Sequence, residues 1–450
     1  MQLTIAIPVQ VWEIYSPLIE AGATCYLVGG GVVDGILQKQ IKDWDIEIHG
    51  LGLDKIVELV SKIIPVDVTG SKFGVVRAPL KGVDIELSVP RRENKCGTGH
   101  TDFDITLCED MPLEEAAKRR DFTINSMMVD LATMKLYDPY CGMLDLGSGI
   151  LRATNAKTFV EDPLRVFRAM QLVSRKMQCV ASETIELCST MVEECEKLSG
   201  DSILGEFSKM LMKAENISYG LKFLHQSGVI KMFPELEALI RCPQNPIHHP
   251  EGDVWNHTLA VVEEAACVRK LVPEEWQLGF MFGMLLHDVG KPSVTDPISL
   301  TAYGHDIAGV EIAERFMRRL TNNEELIAQV KVIVECHMRP LQMAGSDAGA
   351  AAWRRLHNKC PINILAFVCD CDSKGCMCSD IDFFGLIMEQ FEMVAGGNMG
   401  SINQVLMGRH LIAAGYKPGP NFSVMLKKAY EHQIETGCTD EIELLKVAVS

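Results

Sequence analysis

Asp43 and Asp45, two residues apart and closely following the glycine run Gly29-Gly30-Gly31, constrain this chain more than any other feature of it. The stretch Cys25-Tyr-Leu-Val-Gly-Gly-Gly-Val-Val-Asp-Gly-Ile-Leu predicts an apolar strand that turns through glycine into a short helix. The stretch Lys42-Asp-Trp-Asp-Ile-Glu-Ile-His predicts a second strand carrying Asp-x-Asp. Residues alternate faces along a strand, so both carboxylates project to one side. Held together they repel unless a cation lies between them, and the hard-cation answer is Mg²⁺ shared with phosphate oxygens. Gly29 and Gly30 let backbone N–H groups approach a triphosphate at the helix N-terminus. A two-carboxylate metal site beside a phosphate cradle is equipment for in-line nucleotidyl transfer. A lone Asp-x-Asp is commonly solvated surface, so the residues downstream decide between the two.

At 450 residues the chain has room for two or three domains with sizeable cores, and 47% hydrophobic with 23% charged residues is an ordinary globular balance. No apolar run approaches the roughly 20 residues that span a bilayer, and the N-terminus lacks the basic start of a secretory signal. Sixteen cysteines without a regular framework read as reduced thiols of a cytoplasmic protein. A net charge of −17 argues against indiscriminate nucleic-acid binding, yet cations gather between Arg91 and Lys176.

Residues 1–150 alternate β-rich and helical runs, residues 151–245 show apolar positions at three- and four-residue spacing, and 246–450 are again mainly helical. Pro243, Pro246 and Pro250 mark the second boundary.

Further motifs follow in order: Ala117-Lys-Arg-Arg-Asp-Phe-Thr-Ile-Asn-Ser, then Asp138-Pro-Tyr-Cys-Gly-Met-Leu-Asp145, then Phe159-Val-Glu-Asp-Pro-Leu-Arg165-Val-Phe-Arg168. Together with the glycine turn and Asp-x-Asp they resemble the class II tRNA nucleotidyltransferase and bacterial poly(A) polymerase family. The resemblance implies an α+β polymerase-β-like head at 1–150, an all-α neck that recognises the nucleotide base at 151–245, and tRNA, CTP and ATP as partners. It places Glu86 as the third carboxylate beside Asp43 and Asp45, with Asp84 a weaker candidate on the same strand face. It sets Arg91, Arg119, Arg120, Asp121 and Arg168 at the incoming nucleotide, and it makes Glu93–Asp104 the mobile loop of members that add A. On residues alone, Arg119-Arg120-Asp121 also reads as an exposed helix start with Asp121 as its cap.

Asp162 and Arg165 stand at i and i+3, one face of a helix. Arginine only donates hydrogen bonds and ionised aspartate only accepts them. Cytosine and adenine both set an exocyclic amino donor beside a ring-nitrogen acceptor, so this pair can read both. Uracil and guanine present a carbonyl instead and leave buried polar groups unpaired. Taken alone the pair is a surface ion pair; the family context turns it into a protein template for CTP and ATP.

Two departures stand out. The family turn reads Gly-Gly-x-Val-Arg-Asp, whereas Val33 occupies the arginine position; and Asp201-Ser202 stands where Glu-Arg is usual. No Gly-Arg-Arg/Lys-Phe run of the poly(A) polymerases is evident, which favours tRNA as primer. A poly(A) polymerase or A-adding enzyme, and an HD phosphohydrolase with a degenerate RNA-binding head, stay open as alternatives.

In the last third, Asp253-Val-Trp-Asn-His257-Thr, Leu285-Leu-His287-Asp288-Val-Gly-Lys and Cys371-Asp372-Ser-Lys resemble the HD phosphohydrolase superfamily. The resemblance implies an all-α domain within 246–450, with His257, His287, Asp288 and Asp372 as metal ligands and 2′,3′-cyclic phosphodiesterase or phosphatase activity. Mixed imidazole and carboxylate donors suit a transition metal such as Mn²⁺ or Ni²⁺. His305 and His337 are candidates for a second metal or a phosphate contact. Cys369-x-Cys371 and Cys376-x-Cys378 have the wrong spacing for a zinc ribbon and read as buried or loop thiols.

Overall fold

The structure is a computed structural model that describes residues 2–80, 82–95, 103–376, 381–397 and 402–450. Its contacts divide the chain into two compact units: Met1–Met210 with Tyr219–Met232, and Leu211–Ser218 with Phe233–Ser450.

The first unit is built on a six-stranded mixed sheet. Strands β1 (Thr24–Val28), β2 (Asp43–His49), β3 (Val75–Leu80), β4 (Val83–Ser88), β5 (Arg91–Lys95), β6 (Phe103–Leu107), β7 (Met128–Asp130) and β8 (Leu136–Tyr137) follow in chain order. The sheet order is β3-β4-β2-β1-β7-β8, and β5 and β6 pair separately as a hairpin. On β2 the period of two is complete: Trp44, Ile46 and Ile48 are buried on one face, and Asp43, Asp45 and Glu47 take the other. β2 pairs antiparallel with β1 but parallel with β4, which brings Asp43 opposite Asp84 and Asp45 opposite Glu86. The loop assigned to Glu93–Asp104 by resemblance has its two flanks in the β5–β6 hairpin; its middle, 96–102, lies outside the described residues.

Beyond the sheet, the Leu164–Lys176 helix buries Val166, Phe167, Ala169, Met170 and Val173 and leaves Arg165, Arg168 and Arg175 on its polar side. The expectation of helix alone after 150 needs one small correction. Cys179–Val180 pairs in parallel with Ile150–Leu151, because backbone groups leaving that helix find a ready edge in the preceding loop.

The second unit is helical. The Val254–Val268 helix packs on Glu274–Leu286 and on Ile362–Gly375, and His305–Leu320 packs on Glu324–Cys336. Gly290 is required by close approach: a Cβ there would collide with the His305 carbonyl. That contact seats the start of the His305–Leu320 helix on the turn after Asp288. A satellite core of Leu406, Leu411, Ala429, Leu444 and Ala448 closes the C-terminal helices. Among the described residues no helix is long and apolar enough to cross a membrane.

Candidate functional site

In the first unit, Asp43, Asp45, Asp84 and Glu86 line one cleft of about 660 Å³, with Arg77, Arg168 and Lys209 supplying the cations around it. Burial, together with the neighbouring Glu86 and Asp43 charges, pushes the Asp45 carboxyl up to about 6, against the opposing pull of Arg120. A carboxylate raised by its own neighbours is a site short of positive charge, which a divalent cation would supply. Glu86 also accepts from Arg77 Nε at 3.3 Å, its in-register neighbour on β3. Gly29 has φ +66°, and a Cβ there would sit 3.5 Å from Asp45 Oδ2 and 3.6 Å from Arg120 Nη1. It is the positive φ that calls for glycine here, since a Cβ would meet Asp45 and Arg120 only in ordinary contact.

Glu47, the next residue on the Asp43–Asp45 face, is fully buried. It accepts from Arg119 at 2.9 Å, Arg120 at 3.1 Å and His49 at 3.1 Å. Burial opposes its ionisation, but the His49 hydrogen bond and the Arg120 and Arg119 charges outweigh it and hold the carboxyl well below the usual range. The two arginines assigned to the nucleotide are thus anchored from beneath by an acid that the motif reading passed over. Asp121 is buried and accepts from Arg168 Nε at 2.8 Å, Asn125 Nδ2 at 3.0 Å and the Phe122 N–H at 2.8 Å. Arg91 opens β5, opposite Leu107.

The expected common helix face needs correction: the helix begins at Leu164, so Asp162 lies just before it, and the two side chains approach only from that position, Arg165 Nε standing 4.0 Å from Asp162 Oδ2. Arg165 donates from Nη1 to the Thr158 carbonyl at 2.7 Å and from Nη2 to the Arg119 carbonyl at 2.8 Å, so its guanidinium is held rather than free. Asp162 Oδ1 accepts from the Leu164 N–H. At the glycine turn, Val33 is fully buried, and Lys176 reaches from the Leu164–Lys176 helix to Asp34 at 2.8 Å.

In the second unit four imidazoles converge. His287 Nδ1 donates to the Met284 carbonyl at 2.8 Å, His305 Nδ1 to Ala302 at 2.7 Å, and His337 Nδ1 to Val334 at 2.7 Å. His257 Nδ1 is bound to Glu251 at 2.9 Å. Each ring therefore turns its Nε2 inward: His257 Nε2 lies 3.4 Å from His287 Nε2 and 2.9 Å from Asp372, and His305 Nε2 lies 3.0 Å from His337 Nε2. Asp288 stands between the two pairs. Its Oδ2 is 3.3 Å from His287 Nε2 and 2.7 Å from Lys291 Nζ, and its Oδ1 is 3.3 Å from His305 Nε2. All six residues expected at this site are brought together, with His257, His287 and Asp372 as one potential ion-holding group and Asp288, His305 and His337 as another.

Charge follows geometry. Burial favours neutral groups, yet the His287 and Lys291 charges hold Asp288 well below the usual carboxylate range. Against the same burial, Asp288 and Asp372 carry His287 up to about 9. Burial, reinforced by the His287 charge, drops His337 to about 4. Packed nitrogens and carboxylates of this kind fit a divalent cation, which would take the place of the shared protons. The cavity over the centre, about 590 Å³, is lined by Asp288, Lys291, His305, Asp372, Tyr303 and Met338 among others. Glu251 and Lys291 were missed by motif reasoning. The available signals were the His249-Pro-Glu251 triplet six residues before His257, and Lys291 at i+3 from Asp288.

Comparison with known proteins agrees with both halves. Residues 25–152 match the Poly A polymerase head domain and residues 254–374 the HD domain. The chain is similar to the multifunctional CCA protein of Neisseria meningitidis, at 34% identity over 316 residues, 70% of this chain and 72% of that one. It is also similar to the multifunctional CCA protein of Azoarcus sp., at 34% identity over 299 residues, 66% of this chain and 69% of the relative. The fold resembles that of a Bacillus stearothermophilus CCA-adding enzyme in complex with CTP, with a TM-score of 0.63 at 19% identity over 96% of this chain and 93% of the other. It likewise resembles a Thermotoga maritima CCA-adding enzyme complexed with tRNA, with a TM-score of 0.57 at 19% identity, covering 100% and 99%.

Proposed function

The chain belongs to the family of multifunctional CCA proteins, and we infer from this that it adds CMP and AMP, from CTP and ATP, to the 3′ end of tRNA and carries a metal-dependent phosphohydrolase in its HD domain. The observation that carries the reading is the in-register pair Asp45 and Glu86 with Asp43 beside them, opening on one cleft.

Asp43, Asp45 and Glu86 would hold Mg²⁺, which lowers the barrier to in-line phosphoryl transfer by neutralising the triphosphate and the attacking 3′-oxygen. The protein's own residues do the positioning. Gly29 and Gly30 present backbone N–H groups to phosphate, Arg168, steered by Asp121, faces the cleft, and Arg91, Arg119 and Arg120 add positive charge along the nucleotide path. Asp162 and Arg165 read the base, with Arg165 fixed in place by two backbone carbonyls. In this reading the neck spans 151–245 and the HD region 246–450.

His257, His287, Asp288 and Asp372 would hold a transition metal such as Mn²⁺ or Ni²⁺, with His305 and His337 available to a second ion. Such an ion supplies an activated water for phosphoester hydrolysis. Lys291 and the free rim of the cavity receive the phosphate. The two activities belong together, because a tRNA whose 3′ end is a phosphate or 2′,3′-cyclic phosphate has no nucleophile until a hydrolase restores one. The described cysteines are unpaired, in keeping with a reducing, cytoplasmic setting.

The test gives the protein three tRNAs, ending before C, CC and CCA, each with one labelled NTP, resolved at single-nucleotide length. Sequential incorporation of C, C and A is the expected result. Incorporation of A alone would transfer the reading to an A-adding enzyme, and none at all would leave a hydrolase with a degenerate head.

A further inference from the structure

Behind the HD centre, on the far side of the His257 ring, lies a second set of donors that the hydrolase reading does not use. Glu251 Oε1 is 2.9 Å from both His249 Nδ1 and His257 Nδ1. Cys376 Sγ, at the end of the Ile362–Gly375 helix that carries Asp372, is 3.6 Å from His249 Nδ1 and 3.9 Å from His257 Nδ1. The four donors fall within 4.8 Å of one another. A tetrahedral Zn²⁺ with bonds of about 2.0–2.3 Å needs donors roughly 3.3–3.6 Å apart. The four contacts within the cluster, 2.9–3.9 Å, bracket that spacing, and the two Glu–His contacts need open by only a few tenths of an ångström. Glu251 provides the independent sign of a missing partner. Its side chain is 4% exposed and its Oε2 is buried without a hydrogen bond. Oε1 carries both imidazole contacts, so the carboxylate keeps one buried oxygen with an unmet lone pair, which a cation bound by this group would satisfy.

We propose that His249, Glu251, Cys376 and the Nδ1 of His257 form a soft-metal site, selective for Zn²⁺ through the Cys376 thiolate, which switches off the HD centre. Selectivity follows from donor type. The HD groups offer only imidazole and carboxylate, whereas thiolate adds preference for Zn²⁺ over Mn²⁺. The thiol proton leaves as the metal binds. The switch follows from the single lone pair of a neutral imidazole. With the outer site empty, His257 Nδ1 donates to Glu251 and Nε2 faces Asp372 as a ligand. With Zn²⁺ on Nδ1, the ring proton moves to Nε2, which then donates to Asp372 and no longer ligates. Only this inhibitory consequence rests on the HD reading; the metal site itself does not.

The experiment uses the full chain and Co²⁺ as a spectroscopic stand-in for Zn²⁺. Wild type is expected to develop a near-ultraviolet thiolate-to-cobalt charge-transfer band, lost in Cys376→Ser and weakened in His249→Ala. With Mn²⁺ loaded first, added Zn²⁺ should suppress hydrolysis of a 2′,3′-cyclic phosphate in wild type, and Cys376→Ser should need more than about tenfold higher Zn²⁺ for the same effect. No thiolate band in wild type, or an unchanged band in Cys376→Ser, overturns the site and leaves Glu251 as an orienting hydrogen-bond acceptor. Equal Zn²⁺ sensitivity of the two proteins overturns the switch. If no preparation hydrolyses the substrate, the HD reading fails, and the cobalt spectra still decide the metal site.

Discussion

Asp45 on β2 faces Glu86 on β4 in parallel register, and Arg77 on β3 is the neighbour that Glu86 accepts from. Two acids on adjacent strands of one sheet are destabilising by themselves, and burial of Asp45 adds to the cost. With its carboxyl raised to about 6, the folded head favours protonated Asp45. That contribution is complete below about pH 4 and is lost as pH rises through about 6, a change on the order of 3 kcal/mol. The metal-free protein should therefore melt lower at pH 7.5 than at pH 5 through this group, and Mg²⁺ should recover more at pH 7.5. Calorimetry of wild type and Asp45→Asn with and without Mg²⁺ checks it; an Asp45→Asn protein that still gains as much from Mg²⁺ would put the ion elsewhere.

The same carboxylates predict the chemistry. Asp43→Ala or Asp45→Ala should abolish nucleotide incorporation while hydrolysis at the HD centre persists. Substantial incorporation by either variant would remove these residues from the catalytic site.

Much of this was open to a reader of the sequence, and the exceptions share a cause. The common face of Asp43 and Asp45 follows from strand periodicity, and His257, His287, Asp288 and Asp372 follow from motif order. Glu86 as partner of Asp45 depends on a parallel pairing across the β3–β4 hairpin, which periodicity cannot register. Glu47 continues the alternation but reads as one more surface acid until Arg119 and Arg120 arrive from more than 70 residues away. The i,i+3 spacing of Asp162 and Arg165 was legible, but not that the helix starts only at Leu164, leaving Asp162 before it, nor the two carbonyls that hold Arg165, one of which belongs to Arg119 in another element. Histidine residues announce possible ligands; which nitrogen faces inward depends on backbone acceptors at i−3, a matter of helix-end geometry.

Glu47 should prove a stability residue before a catalytic one. Glu47→Gln removes the buried charge that two half-buried arginines share, and breaking such an ion pair on its buried side costs roughly 3 kcal/mol. The expected result is a clear drop in the melting temperature of the head together with a higher KM for CTP and ATP, as Arg119 and Arg120 lose their seat. An unchanged melting temperature would show that the arginines find other partners.

Arg165→Lys is the informative change at the base-reading pair. One ammonium cannot replace two guanidinium arms that brace the Thr158 and Arg119 carbonyls, so the helix start loosens while charge is kept. Discrimination for C and A over U and G should fall by about 1–3 kcal/mol per lost contact, the scale of base readout. Misincorporation assays with UTP and GTP measure this; discrimination equal to wild type would make Arg165 a brace and not a reader.

Asp288→Asn is the sharpest test that the two sites are separate. Among the described residues, Asp288 is the one carboxylate that reaches both imidazole pairs, and the His287 and Lys291 charges hold it ionised. Asparagine keeps the shape but removes the charge, so His287 loses its largest reason to sit near 9 and the ion loses an anionic ligand. Lys291 is left with an unbalanced buried ammonium, which further repels any cation. Purified Asp288→Asn should therefore retain no bound transition metal by elemental analysis and no hydrolysis of 2′,3′-cyclic phosphates. The carboxylates of the head form their own cleft among residues of the first unit, so C, C and A addition to a tRNA with a free 3′-OH should remain near wild type. Retained metal with retained hydrolysis would mean that the ion is held without Asp288, and a parallel loss of nucleotide addition would mean that the two activities depend on a common element.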